Sequence, residues 1–172
     1  MRKNVRYKYI CEGETEQKFI KVLKDENLLI PGKVEVFNIA RDNVSKVIRK
    51  YNKNDFLIFI VDTDILNETI FCKNITLLNR FKFKYCTVFQ NKNLEDELKT
   101  CCKFSNTIQL FKSFYNTTSA NEFKEKLIKD NNLYNKLIQN NFTVDKLWSL
   151  HSFKIDCVDK FIICNKTIYK KG

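Results

Sequence analysis

Two short acidic motifs carry the residues best suited to chemistry in this chain. The first is Glu12-Gly13-Glu14-Thr15-Glu16, and the second is Asp62-Thr63-Asp64, which follows the continuous apolar run at residues 56–61. Alternation along an extended chain places Asp62 and Asp64 on the same side. Clustered carboxylates repel one another unless a cation lies between them. Hard Mg²⁺ or Mn²⁺ is the natural occupant, and such an ion would stabilise charge on a phosphoryl group.

Each carboxylate also has an ordinary structural interpretation. Glu14 and Glu16 would suit the first turn of a helix, where they face its dipole, and Asp62 or Asp64 would cap the helix that follows. Their joint placement after two apolar strands favours a site, because ligands of open α/β sheets bind outside the carboxyl ends of the strands. If the two strands are parallel neighbours, Glu12 converges with the second motif.

The elements that must position these motifs alternate between strand and helix. Strands are predicted at residues 6–11, 33–39, 56–61 and 81–89, and helices at 15–29, from Asp42 past Tyr51, at 64–79 and from Asn93. This alternation predicts an α/β fold in which a parallel sheet is flanked by helices. The last third is predicted to be mainly helical, with a capping box at Ser119–Glu122 and a break near 130–132. The expected organisation is a catalytic core at residues 1–100 and a helical extension at 101–172 packed on the same domain.

Charge and length narrow the class of protein. The 172 residues suit one domain, and 31 Lys and Arg against 20 Asp and Glu give a net charge of +11. Such an excess favours a polyanionic partner, nucleic acid above all; the alternative is that an AT-rich coding sequence inflates lysine without function. No apolar run approaches the ~18 residues of a membrane span, and the basic N-terminus lacks an apolar segment of the secretory type. A soluble cytoplasmic protein with no membrane partner is therefore expected.

The cysteines are expected to be reduced. There are seven, an odd count with no CxxC pair, which argues against a disulfide framework. Cys11 and Cys86 lie in apolar strand-like runs, where a thiol packs as a small hydrophobe. A zinc site is the minor alternative, drawn from Cys101, Cys102, Cys157 and Cys164 with His151.

The acidic motifs resemble those of Toprim domains, and most of all those of small stand-alone RloB-like and OLD-like proteins. The first motif of that family is a hydrophobic strand followed by E-G-x-T-E, matched here by Glu12 to Glu16. The second is a hydrophobic strand followed by D-x-D, matched by Asp62 to Asp64, fifty positions later. The resemblance covers about residues 5–100.

The resemblance implies a Toprim (Rossmann-like) fold and roles for the matched residues. Glu12 would be a general acid/base or metal ligand, Asp62 and Asp64 would bind Mg²⁺ or Mn²⁺, and Glu16 would be a further carboxylate of the metal site. A later P-x-F-E element of the family is weakly matched by Asn93-Leu94-Glu95, which makes Glu95 a further ligand and leaves Glu97 as its competitor. OLD-like nucleases also use a lysine from the C-terminal part, for which Lys154, near His151, is the candidate.

The function expected from this resemblance is metal-dependent hydrolysis of DNA or RNA phosphodiesters. The setting would be a phage-defence or toxin-like effector, and tRNA is among the conceivable substrates. The alternatives are a non-catalytic Toprim module for nucleic-acid binding or assembly, and a phosphohydrolase acting on a nucleotide. The chain has no G-x-x-x-x-G-K motif, so a partner ATPase would be a separate polypeptide. Self-association into a homo-oligomer is also compatible with the sequence.

Overall fold

The computed structural model describes residues 5–149, 155, 157, 168 and 169. Within them, strands and helices alternate through the first hundred residues and helices alone follow. The elements are β1 (Arg6–Cys11), α1 (Glu14–Asp25), β2 (Gly32–Val36), α2 (Ser45–Lys50), β3 (Asp55–Val61), α3 (Glu68–Arg80), β4 (Lys84–Phe89), α4 (Leu94–Cys101), α5 (Thr107–Tyr115), α6 (Ala120–Lys129) and α7 (Leu133–Gln139). A short 3₁₀ helix spans Val144–Lys146.

The four strands form one parallel sheet in the order β2-β1-β3-β4. The chain leaves β1 towards one edge to form β2, and then returns to the other side of β1 to form β3. The strand order therefore reverses between β1 and β3, which is the point where open α/β sheets bind their ligands. The predicted α/β, Rossmann-like class is confirmed.

Apolar layers cover both faces of the sheet. On one face, side chains of α1 and of α4–α7 pack in a cluster that includes Phe19, Leu98 and Phe123. On the other face, α2 and α3 contribute Val47 and Phe71 to a second cluster. Burial on both sides explains why β3 is apolar throughout its last six residues. No helix in the described part of the chain has the length and apolar character needed to span a bilayer.

The helices beyond α4 pack against the sheet-bearing part of the chain. Helix α6 contacts α1 and α5, and α5 contacts α4. Ser119 caps α6 as predicted, since its Oγ accepts a hydrogen bond from the Glu122 backbone N–H at 3.4 Å. Trp148 is fully buried in the same apolar cluster, and the break between α6 and α7 lies where the sequence indicated.

Several predicted boundaries were wrong by a few residues, each for a local reason. Helix α3 begins at Glu68 rather than at 64, because Asn67 Oδ1 accepts from the Ile70 N–H and caps it there. Strand β4 begins at Lys84 rather than at 81, because Lys82 takes a left-handed φ of 56°. Asp42 does not cap α2, whose N-cap position is held by Val44 without a side-chain cap; Asn43 Oδ1 accepts from the Ser45 N–H at 2.9 Å just before the helix.

The expectation of reduced cysteines was wrong for part of the set. Cys72 on α3 forms a disulfide with Cys157, 85 positions later, and Cys86 is also disulfide-bonded. Cys11, Cys101 and Cys102 are free and buried, as expected. With Cys157 paired to Cys72, the alternative of a zinc site that includes Cys157 does not hold in this structure.

Candidate functional site

The two acidic motifs meet at the carboxyl ends of β1 and β3. Glu12 directly follows β1 and Asp62 directly follows β3, and the two strands are hydrogen-bonded neighbours. Glu12 Oε1 accepts a hydrogen bond from the Asp62 backbone N–H at 3.2 Å. Its other oxygen accepts from Asn38 Nδ2 at 2.7 Å, from the loop after β2. Three strand ends therefore hold one carboxylate in place.

Amide side chains from the fourth strand end hold the second motif. Gln90, directly after β4, donates from Nε2 to Asp62 Oδ1, and Asn93 Nδ2 donates to Asp64 Oδ2 at 2.8 Å. Between them, Thr63 Oγ1 donates to the Gln90 carbonyl at 2.9 Å and accepts from the Lys92 N–H at 3.0 Å. The loop after β3 is thus fastened to the loop after β4.

Glu16 is buried at the start of α1, behind Glu12. The glycine that precedes this helix turn leaves room for it, because a Cβ at Gly13 would lie 2.9 Å from Glu16 Oε2. Burial raises the pKa of Glu16, and the nearby carboxylate of Glu95 raises it further, against the opposing effects of backbone N–H groups and of Lys124. Glu16 therefore lies in the electrostatic field of the same cluster.

The two competing glutamates of α4 have different surroundings. Glu95 is 5% exposed; its Oε1 makes no hydrogen bond, and Lys124 Nζ lies 3.4 Å away as an ion-pair partner. Glu97 instead accepts from two backbone N–H groups, that of Asn91 at 2.6 Å and that of Trp148 at 3.0 Å. Glu95 thus faces the acidic cluster, whereas Glu97 links the backbone at Trp148 to the β4–α4 loop by hydrogen bonds.

The cluster holds its carboxylates in an unfavourable electrostatic environment. Burial raises the pKa of Asp62 to about 8, with Glu16, Glu12 and Asp64 adding to the rise. Burial likewise raises the pKa of Glu12 to about 7, assisted by Glu16 and Asp64. Such shifts concentrate at functional sites, where a bound cation or a proton-transfer role offsets the repulsion.

Lys124 of α6 is a basic side chain that faces this cluster. Its pKa is raised despite burial, because Glu95, Glu16 and Asp62 all favour its charged form. The sequence analysis did not identify Lys124, since only the packing of α6 against α1 brings it to the site. The candidate that it did identify, Lys154, and the neighbouring His151 lie outside the described residues.

The carboxylate oxygens of the cluster are ligands of the type that a hard divalent cation prefers, but their positions do not form a common coordination site. Glu12, Glu16, Asp62, Asp64 and Glu95 offer only oxygen ligands, and Glu95 leaves a buried oxygen without a hydrogen bond. Among the residues that the structure describes, however, no three carboxylate, His or Cys side chains lie close enough to ligate the same ion. Occupancy would require these side chains to move towards a common centre.

Five of the six site residues predicted from the sequence, all except Lys154, are linked by electrostatic interactions at this end of the sheet, although no three of the described ones are placed to share one ion. The amides that orient them were missed, because Asn38 and Gln90 stand after strands with no acidic motif. Gln90 lies immediately beyond the predicted strand at 81–89, and this position is a signal that could have indicated it. Asn38 falls inside the predicted strand at 33–39, so it became visible only because β2 ends at Val36.

Comparison with known proteins adds no identification to this geometry. No protein-family model, no curated protein and no solved structure matches the chain.

Proposed function

We propose that this chain is a divalent-metal-dependent nuclease that hydrolyses phosphodiester bonds of DNA or RNA. The observation that carries the proposal is the electrostatic coupling of Glu12, Glu16, Asp62, Asp64 and Glu95 at the carboxyl ends of the strands, with Lys124 facing them. The resemblance of the two motifs to those of Toprim nucleases supports the same function.

In this proposal the carboxylates divide into two roles. Asp62, Asp64 and Glu16, with Glu95 beside them, would hold Mg²⁺ or Mn²⁺, which would supply charge stabilisation to the phosphoryl group. Glu12 would serve as general acid and base, because a pKa near 7 suits proton transfer at neutral pH. Asn38 and the Asp62 N–H would keep Glu12 aimed at the reacting group.

Lys124 would take the place that the sequence analysis gave to Lys154. Its ammonium pairs with Glu95 and its side chain is 46% exposed, so it can reach a phosphate at the cluster. It would offset the negative charge that a phosphodiester brings to a group of carboxylates.

The charge of the chain favours a polymer as substrate. A net charge of +11 attracts a long polyanion more strongly than a single nucleotide. DNA, RNA and tRNA are alternative substrates within this proposal. A partner ATPase, self-association and a role in phage defence are separate expectations that the same proposal accommodates.

The test is a cleavage assay on single- and double-stranded DNA, total RNA and a tRNA pool, each with Mg²⁺, with Mn²⁺ and with EDTA. The double variant Asp62→Asn/Asp64→Asn is compared with Asp25→Asn/Glu26→Gln, which removes two exposed carboxylates at the far end of α1. We expect metal-dependent cleavage in the wild type and the control and none in the site variant. Undiminished cleavage by the site variant would rule out the proposed centre.

A second candidate is a non-catalytic module for nucleic-acid binding or assembly. It is favoured by the separation of the carboxylates, no three of which, in the part of the chain described, are placed to share one ion. Binding without cleavage under every metal condition, unchanged in the Asp62→Asn/Asp64→Asn variant, is the result that this candidate predicts.

A further inference from the structure

A cavity of about 210 Å³ opens near the acidic cluster, on the α2–α3 face of the sheet. It is lined by Arg41, Asn43, Ile70, Lys73 and Asn74. Arg41 and Asn43 belong to the loop between β2 and α2, and the other three lie along the first half of α3. The lining combines two cations, two amides and one apolar side chain.

The two cations of this cavity have no hydrogen-bond or ion-pair partner in the part of the chain that the structure describes. Both Arg41 and Lys73 are exposed, and neither side chain makes a hydrogen bond or ion pair with any residue that the structure describes. The cavity of similar size beside β2, about 200 Å³, differs in having an acidic lining residue, Glu35, which is paired with Lys50. Since no described acidic residue lines the first cavity, its positive charge is available to an anion.

Asn74 fixes the loop that carries Arg41. This side chain is 2% exposed; its Nδ2 donates to the carbonyls of Ile39 and Asp42, both at 2.7 Å, and its Oδ1 accepts from the Val44 N–H at 3.1 Å. All of its hydrogen-bonding groups are therefore used within the protein. The loop is braced in position without any ligand, which reduces the entropy lost on binding.

The cavity is electrostatically coupled to the candidate site. Although burial is the largest influence on the pKa of Glu12 and raises it, the positive charge of Arg41 acts in the opposite direction. Asn38, at the start of the same loop, donates directly to Glu12. One loop thus contacts the acidic cluster at one end and lines the cavity at the other.

From this placement we propose that Arg41 and Lys73 bind a backbone phosphate of the nucleic acid, next to the phosphate that reaches the acidic cluster. Asn43 would supply a further polar contact, and Ile70 an apolar surface for the adjoining sugar. The inference rests on the proposed function for the identity of the polymer, but the phosphate-binding step itself requires no metal and no cleavage.

The experiment measures binding in EDTA, where no cleavage takes place. Fluorescence anisotropy of labelled single-stranded DNA and RNA oligonucleotides is followed over a series of KCl concentrations for the wild type and for Arg41→Gln/Lys73→Gln. The matched control is Arg80→Gln/Lys84→Gln, which removes the same charge from exposed positions at the opposite end of the sheet. Circular dichroism checks that both double variants are folded, as expected for exposed side chains that make no hydrogen bond or ion pair with the described residues.

We expect Arg41→Gln/Lys73→Gln to weaken oligonucleotide binding several-fold more than the control does. The slope of log K against log salt should also fall by about one relative to the control, as for the loss of one phosphate contact. Equal affinities and slopes for the two double variants would overturn the proposal, and so would the absence of oligonucleotide binding by the wild type.

A second arm separates a polymer phosphate from a free one. Inorganic phosphate and a nucleoside monophosphate are titrated against the wild type, and we expect both to bind far more weakly than the oligonucleotide. A nucleoside monophosphate that binds as tightly as the oligonucleotide would overturn the assignment to a polymer backbone. The nuclease proposal is judged separately by metal-dependent cleavage, so the failure of one proposal is distinguishable from the failure of the other.

Discussion

The carboxylates at the two ends of β3 have opposite electrostatic surroundings. At its start, Asp55 is 3% exposed and accepts from Arg6 Nε at 2.9 Å and from the Asn52 N–H at 3.1 Å. Just past its end, Asp62 has the amide of Gln90, but burial, and then its acidic neighbours, raise its pKa. Asp55, which joins two strands, therefore has its negative charge balanced by Arg6. The negative charge of Asp62, at the strand-order reversal, is not balanced by a paired cation among the described residues.

Glu35 on the edge strand extends the comparison. Burial favours its neutral form, but hydrogen bonds from Lys50, Tyr51 and Lys33 outweigh this and lower the pKa of Glu35 to about 2. The chain thus has enough lysine to pair its carboxylates where pairing serves stability. A group of repelling carboxylates in so basic a protein is the electrostatic observation that supports the proposed cation site.

The largest effect should come from Glu12→Gln. We expect the cleavage rate to fall by about 10²- to 10⁴-fold, as for the loss of a general acid or base, while the free energy of unfolding changes little because Gln still offers an oxygen to the Asp62 N–H. Single-turnover cleavage and urea unfolding measure the two quantities. Glu14→Gln, an exposed change two residues away at the start of α1, is the control; an unfolded Glu12→Gln variant would show that Glu12 is structural.

At the start of β3, Asp55→Ala should lower the free energy of unfolding by about 1–3 kcal/mol. The substitution removes the acceptor for the Arg6 side chain and leaves the Asn52 N–H without its partner. Urea denaturation at pH 7 checks this, beside Asp25→Ala at an exposed position. A loss no greater than that of the control would remove the contrast between the two ends of the strand.

At the opposite end, Asp62→Asn should raise the free energy of unfolding in EDTA by about 1 kcal/mol, the scale of one pKa unit. It removes repulsion with Glu12, Glu16 and Asp64, while the Asn oxygen still accepts from Gln90 Nε2. Thermal unfolding of wild type and variant in EDTA measures the difference. If the variant is clearly less stable, Asp62 is a structural residue like Asp55.

The smallest effect is expected at Glu35 and depends on pH. Because its folded pKa lies below the ordinary value, its stabilisation is present above about pH 4.5 and is lost as the pH falls towards 2. Glu35→Gln should cost about 0–1 kcal/mol at pH 7, since Lys33 and Lys50 are exposed. Unfolding curves at pH 7 and pH 3 should show the difference shrinking; a constant difference would contradict the pairing.

The acidic residues of the site could be predicted from the sequence because strand and motif are local features. Strand β1 begins and ends where the apolar pattern indicated, and β3 differs by one residue, so Glu12 and Asp62 were placed at strand ends before any pairing was known. The parallel order then follows from alternation with helices, and it brings the two residues together.

The remainder of the site depends on tertiary packing, which the sequence pattern does not contain. Lys124 reaches the cluster because α6 packs on α1, and no motif around it distinguishes it from the other lysines. The pairing of Cys72 with Cys157 joins positions 85 apart and was likewise invisible. The Toprim resemblance itself stays a prediction.

The pairing of β1 with β3 has a consequence for the order of folding. Arg6 lies opposite Asp55, 49 positions away, and Glu12 contacts Asp62 across 50 positions, so the site exists only after a non-local strand pairing has closed a long loop. Non-local pairings form slowly. The nascent chain therefore gathers its repelling carboxylates late, after the apolar strands that will hold them have joined, and an activity dependent on them would stay silent until folding is nearly complete.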